Sequence, residues 1–428
     1  MRHLFVVAIL SDALTVNSHA ASVLRKIEST GDLRLDDILS SVTWDTKVFT
    51  YAFHDAPSLR QAQEIEFAPL SAPQRELARA TLRQIETFTS LHFLETSGTA
   101  EALLTYAQWN GKSRLGRADA KSRDRGASVD YVDTRGQTWI SSVDAKLTDL
   151  SPGGYASRWW MHETGHIFGL EHTHNNFANT PLPAEYDNMS NTLMTYRLSG
   201  EIVLHMPHGN FYPTTYMPLD MFALQHLYGA NLETNAKDRI YRFSPDSDDY
   251  FAGSARVASN PDGKLFLTLW DGGGSDTLDF TAYSQNGIYD MRPGRFSAPS
   301  PAQRVEFNPG DFAEGSIGMP LLPKGDQRAL IENIIVGNGD NKITAHEAAN
   351  MITLGAGANR IAFHPGSRKD VVAGFGEDDA LDLSGYRVPV AMVHVAQEGE
   401  DTIVTIDQWP ADEIRVVKFT ASPHFVLR

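Results

Sequence analysis

Cysteine is absent from the 428 residues, which removes disulfide frameworks, thiolate metal sites, iron–sulfur clusters and cysteine nucleophiles together. Any metal must then rest on His, Asp, Glu or backbone oxygen. Long apolar runs are missing as well. The nearest candidate, Leu4 to Leu10, falls far short of the roughly 20 residues a membrane helix needs, so no stable membrane association is expected. Basic residues are scarce: 37 Lys and Arg against 53 Asp and Glu give a net charge of -16. That sign is wrong for holding nucleic acid through its phosphates. It suits solubility, or the capture of cations such as calcium.

The short apolar run follows Arg2 and His3 and precedes Ser18-His19-Ala20. Residues 1–35 therefore read as a propeptide or an N-terminal leader. Residues 36–235 carry a mixed pattern. Strands are expected at Lys47–Phe53, Ala102–Ala107 and Ser128–Val132, and a helix from Pro73 to Thr89, where Leu77, Leu82, Ile85 and Phe88 recur at helical spacing. Two more helices are predicted, Tyr155 through Phe168 with a stop at Gly169, and Pro218 to Tyr228 ended by Gly229. In residues 236–428 short apolar runs alternate with Gly, Asn, Asp and Ser. There Asn341, Asn350 and Asn359 recur in nine-residue steps, and so do Ile343, Ile352 and Ile361. A nine-residue period of turn and short strand predicts a parallel β-roll or β-helix. The expected fold class is α+β, with an all-β C-terminal domain.

The strongest motif is His162-Glu163-Thr164-Gly165-His166-Ile167-Phe168-Gly169-Leu170-Glu171-His172. On a helix, His162 and His166 share a face one turn apart, the separation a tetrahedral zinc requires. Gly169 lets the chain leave the helix and bring His172 round as a third ligand. Three neutral nitrogens leave one coordination position open, which distinguishes a catalytic zinc from a structural one. Glu163, beside the first ligand, is placed to take a proton from an attacking water as general base. Isolated His pairs four apart carry little meaning in a chain with 15 histidines; the fixed set of three His, one Glu and one Gly does. His174 and Glu171 are rival ligands by composition, but their spacing makes them exposed or outer groups.

This motif resembles that of the metzincin zinc endopeptidases, whose chains carry a Met-turn further on. Thr192-Leu193-Met194-Thr195-Tyr196 matches that turn, and Met-x-Tyr resembles the serralysin family in particular. The likeness extends to Ile38–Trp44, Phe49–Phe53, Leu219–Asn231 and Trp270–Phe280. It implies a metzincin-type zinc protease domain at 36–235 followed by a β-roll at 236–428. The chain would be made as a zymogen, act as a monomer on protein or peptide substrates, and be secreted by bacteria to the extracellular medium. Met194 would lie beneath the zinc as a structural residue, and Tyr196 would stabilise the oxyanion.

The resemblance also implies calcium in the roll, and here the sequence departs from the family. The aspartate positions of the repeats fall on Asn341, Asn350 and Asn359, and an amide oxygen brings no charge. Asparagines stacked along the roll are expected to hydrogen-bond instead. By family matching, Asp271, Gly273, Gly274 and Asp276, with Glu332, form the calcium site that remains. Thr173 stands where serralysins usually place proline, which predicts a looser turn after the third ligand. The leading function is a secreted zinc-dependent endopeptidase using zinc-activated water. The alternative is a non-enzymatic secreted β-roll adhesin or binding protein with a structural zinc domain.

Overall fold

The computed structural model describes residues 24–56, 67–99, 102–109, 136–141, 149–173, 182–198, 211–246, 249–258 and 263–427. The leader-like run at Leu4–Leu10, the strand expected at Ser128–Val132 and His174 lie outside them. The chain divides into two compact units, Met1–Asn231 and Leu232–Arg428.

In the first unit, β1 (Leu24–Lys26) and β2 (Val42–Trp44) pair antiparallel, with the short helix α1 (Leu33–Asp36) between them. A mixed sheet follows: β3 (Val48–Phe53), β4 (Phe67–Ala68), β5 (His92–Glu95), β6 (Leu104–Trp109) and β7 (Gly136–Ser141). β3 runs parallel to β5 and β6, β7 runs parallel to β6, and β4 is antiparallel to the end of β6. β6 starts later than the predicted Ala102 because its ladder to β3 begins where Leu104 meets Tyr51. Helix α2 (Ala72–Phe88) opens with a capping box between Ser71 and Gln74 and buries Ala78, Leu82, Ile85 and Phe88.

Helix α3 (Tyr155–Ile167) is buried on nearly every side, so its side chains serve the interior all round. It ends at Phe168, and Gly169 follows at φ +93°. A Cβ there would also fall 2.9 Å from Thr43 Oγ1, so glycine is required twice over. The turn is clamped by the segment around β2. Ser40 N donates to Gly169 O at 2.9 Å, Glu171 N to Ile38 O at 2.8 Å, and Trp44 Nε1 to Ile167 O at 2.8 Å. Helix α4 (Pro218–Tyr228) closes the unit, ended by Gly229 at φ +88°.

The second unit is a roll of short strands whose middle residues point inward. In one sheet Ile334, Ile352 and Val372 stack in parallel register; in the other Tyr289, Ile343, Ile361 and Leu381 do so. All seven belong to one buried cluster. Successive nine-residue repeats alternate between the sheets, so the vertical neighbour of each residue lies two repeats away.

That alternation changes the expected asparagine ladder. Asn341 and Asn359 share one column, where Asn341 Nδ2 donates to Asn359 Oδ1 at 2.9 Å and Asn359 Nδ2 to Asp379 Oδ1 at 2.9 Å. Asn350 lies in the other column, donating through Nδ2 to Glu332 O at 3.0 Å and through its backbone N to Asp370 Oδ1 at 2.8 Å. The amide nitrogens also reach turn carbonyls: Asn341 Nδ2 bonds Gly337 O at 3.1 Å and Gly339 O at 2.8 Å, and Asn359 Nδ2 bonds Gly357 O at 3.2 Å. A fixed N–H donor thus gathers oxygens from successive turns. Asn359→Leu strands these buried partners and is expected to destabilise the roll by about 3 kcal/mol in urea unfolding, given ~1–3 kcal/mol for each buried group left unsatisfied. Asn359→Asp places a carboxylate against Asp379 and is expected to lower the thermal midpoint in a chelator by more than it does in millimolar calcium.

Candidate metal centre

Helix α3 carries His162 and His166 on one face, and the Gly169 turn returns the chain so that His172 meets them. All three are buried and form a cluster able to hold a metal ion. The Nε2 of His162 lies 3.2 Å from that of His166 and 3.0 Å from that of His172, and the His166 and His172 atoms are 3.1 Å apart. A tetrahedral zinc with bonds of 2.0–2.1 Å spaces its ligands about 3.3 Å apart, so the triangle fits that ion.

Proton placement strengthens the fit. His162 Nδ1 lies 2.7 Å from Leu193 O, and His166 Nδ1 lies 2.8 Å from Leu170 O. A carbonyl can only accept, so both Nδ1 atoms carry the proton and both Nε2 lone pairs face the shared centre. Burial, then the charges of Arg158 and of the neighbouring imidazoles, holds His162 well below its ordinary pKa and keeps it neutral. Neutral nitrogens crowded at this distance make a cation-binding arrangement rather than a hydrogen-bonded one.

Tyr196 Oη lies 3.0 Å from His172 Nε2. Burial first, and the Glu163 charge next, raise its phenol far above the ordinary range, so it stays protonated. Glu163, half-buried on α3 next to His162, has its carboxyl pushed up to about 8 by burial, with Arg158 opposing and Glu171 adding to the rise. Met194 is fully buried, its Sδ only 3.2 Å from where a Cβ on Gly165 would stand. Glu171 is not exposed: it is buried, accepts from His172 N at 2.9 Å, and lies 3.5 Å from His172 Nδ1. Thr173 itself is buried and donates to Asp187 Oδ1 at 2.7 Å.

Two groups that sequence reasoning missed support this centre from a distance. Buried Arg158, one turn before His162, donates from Nη2 to Leu193 O at 2.6 Å and Thr195 O at 3.1 Å. Buried Asp220, in the first turn of α4, accepts from Thr192 Oγ1 at 2.6 Å, Leu193 N at 2.8 Å and Met217 N at 3.0 Å. Burial pushes its carboxyl up to about 6 against those bonds. Leu193 is therefore held through its N–H by Asp220, while its carbonyl oxygen holds His162. An acidic residue in the first turn behind Pro218 reads from sequence as a helix start, which gives no sign of this reach.

In the second unit, Asp271 and Asp276 are fully buried. Asp271 Oδ1 accepts from Gly273 N at 2.9 Å, Asp276 Oδ1 from Arg239 N at 2.7 Å, and Glu332 Oε2 from Asp276 N at 2.9 Å. Burial, and then the Asp271 charge, push Asp276 up to about 8; burial also raises Asp271 and Glu332. Asp276 Oδ2 is buried with no hydrogen-bond partner. Gly273 and Gly274 take φ values of +146° and +130°, and a Cβ on Gly274 would fall 2.8 Å from Asp238 N. Among the described residues these three carboxyls do not converge into a ligand cluster as the three histidines do.

The Peptidase M10 serralysin C terminal family matches residues 230–406. Serralysin B of Dickeya chrysanthemi is 26% identical over 352 residues, covering 77% of this chain and 66% of the relative. Serralysin of Photorhabdus laumondii is 25% identical over 299 residues, covering 67% and 56%. Serralysin of Proteus mirabilis is 32% identical over 228 residues, covering 51% and 42%. The chain thus spans between 42% and 66% of the length of these curated relatives. It carries a match to the serralysin C-terminal family and is similar to several serralysins over roughly half to three quarters of its own length.

Proposed function

We propose that the chain is a secreted zinc-dependent endopeptidase hydrolysing peptide bonds in proteins, with a metzincin-type protease domain over residues 36–235 and a β-roll over 236–428. The observation that carries this reading is the convergence of the three histidine Nε2 atoms beside the Tyr196 hydroxyl, with Glu163 on the same helix. Zinc held by His162, His166 and His172 would supply Lewis acidity, polarising a scissile carbonyl and making an attacking water more acidic. Glu163, whose carboxylate form the cation's charge would favour against the burial that raises its pKa, takes the proton from that water and delivers it to the leaving amine. Tyr196, kept protonated in its buried setting, donates a hydrogen bond to the oxyanion as the carbonyl carbon becomes tetrahedral. Met194 closes the floor beneath the histidines. Calcium would be held by Asp271, Asp276, Glu332 and the backbone of Gly273 and Gly274, neutralising carboxyls that burial otherwise penalises.

Casein hydrolysis by the purified protein should be abolished by a zinc chelator; absence of chelator-sensitive cleavage would sink the peptidase reading. Glu163→Ala is expected to lower kcat roughly 10²–10⁴-fold with zinc content by atomic absorption unchanged. Tyr196→Phe, losing one oxyanion donor, should lower kcat about 10²-fold with little change in KM. In zinc-saturated protein, replacing calcium by EGTA should lower the thermal midpoint, and Asp271→Asn with Asp276→Asn should erase that difference.

A further inference from the structure

His172 lies beyond the end of α3, so helical hydrogen bonding does not set its position. The residue after it, Thr173, is buried, and its hydroxyl donates to Asp187 Oδ1 at 2.7 Å. The same oxygen accepts from Thr195 Oγ1 at 2.6 Å, and Thr195, fully buried, stands between Met194 and Tyr196. On the other side of Tyr196, Arg197 Nε lies 2.8 Å from Asp187 Oδ2, and Arg197 N donates to Thr195 Oγ1 at 3.0 Å. One carboxylate therefore grips the residue following His172 and both residues flanking Tyr196. Its side chain is only 13% exposed, so water competes weakly for these short, charge-assisted bonds.

We propose that Asp187 is a positioning residue that sets the placement of His172 relative to Tyr196. The proposal rests on the peptidase reading for its kinetic consequence but not for its metal consequence. Asp187 touches neither the histidine nitrogens nor the Tyr196 hydroxyl; it acts by holding Thr173, Thr195 and Arg197, whose neighbours do. It ties the segment carrying the third histidine to the one carrying the phenol through a single carboxylate. Outer groups that orient ligands typically alter metal affinity 10–100-fold when lost, and misplacement of a catalytic group by about 1 Å costs about 10²-fold in rate.

The test compares Asp187→Ala, Asp187→Asn and Thr173→Val in the full chain. Zinc affinity is measured by competition with a chromophoric chelator, and geometry by the visible absorption of the cobalt-substituted protein. Asp187→Ala is expected to weaken zinc binding about 10-fold or more, to shift the cobalt spectrum, and to lower kcat about 10²-fold with KM changed less than threefold. Asp187→Asn, which keeps an acceptor for both threonines but loses the charge and the acceptor opposite Arg197, should recover most of the affinity and the spectrum. Thr173→Val should weaken zinc binding, and its effect should not add to that of Asp187→Ala. Unchanged affinity and spectrum in a folded Asp187→Ala, or in Thr173→Val if Asp187→Ala does not fold, would overturn the proposal. A wild type that binds zinc but cleaves no peptide bond would instead sink the peptidase reading, leaving the affinity comparison to decide the role of Asp187.

Discussion

Three imidazole nitrogens brought within hydrogen-bonding distance of one another have to be reconciled with their lone pairs. Two of the rings donate their Nδ1 protons to backbone carbonyls, so those Nε2 atoms have only lone pairs to offer one another. A cation at the centre turns this repulsion into coordination. Much of the first unit follows from supplying those carbonyls at the right place. Leu170 O comes from the turn that glycine permits at 169, itself clamped by the strand segment at residues 38–44. Leu193 O comes from a turn far along the chain, held by Arg158 and Asp220.

The same logic governs the roll with the sign of the partners changed. Oxygen atoms from stacked turns face inward and need something positive between them. At Asp271, Asp276 and Glu332 burial drives the carboxyl pKa values upward, a cost that the proposed calcium would relieve. Where asparagine stands instead, an amide N–H bonds the carbonyls of its own turn and an oxygen of the next. The amide carries its own donor, so hydrogen bonds link the turns of that part of the roll.

Features with a short-range signature were legible from sequence. The helical pair His162 and His166, the exit at Gly169, the start of α4 behind Pro218 and the nine-residue isoleucine period each depend on neighbours within a turn or a repeat. What escaped was long-range. Asp220 and Arg158 meet at Leu193, and nothing in the spacing of an acid in a helix start or a base on a helix predicts that shared residue. Thr173 read as a loss of stiffness because the partner that restrains it, Asp187, is distant in sequence. Asn341 and Asn359 stack in one column and Asn350 lies in the other, because consecutive repeats belong to opposite sheets, which a one-dimensional period does not reveal.

The claim on which the rest depends is that His162, His166 and His172 hold one zinc through Nε2. Metal analysis with zinc-edge X-ray absorption on the purified protein addresses it directly. The expected result is about one zinc per chain with three nitrogen ligands at about 2.0–2.1 Å, lost in His166→Ala. A folded wild type that takes up no zinc, or binds it equally well after His166→Ala, would contradict it.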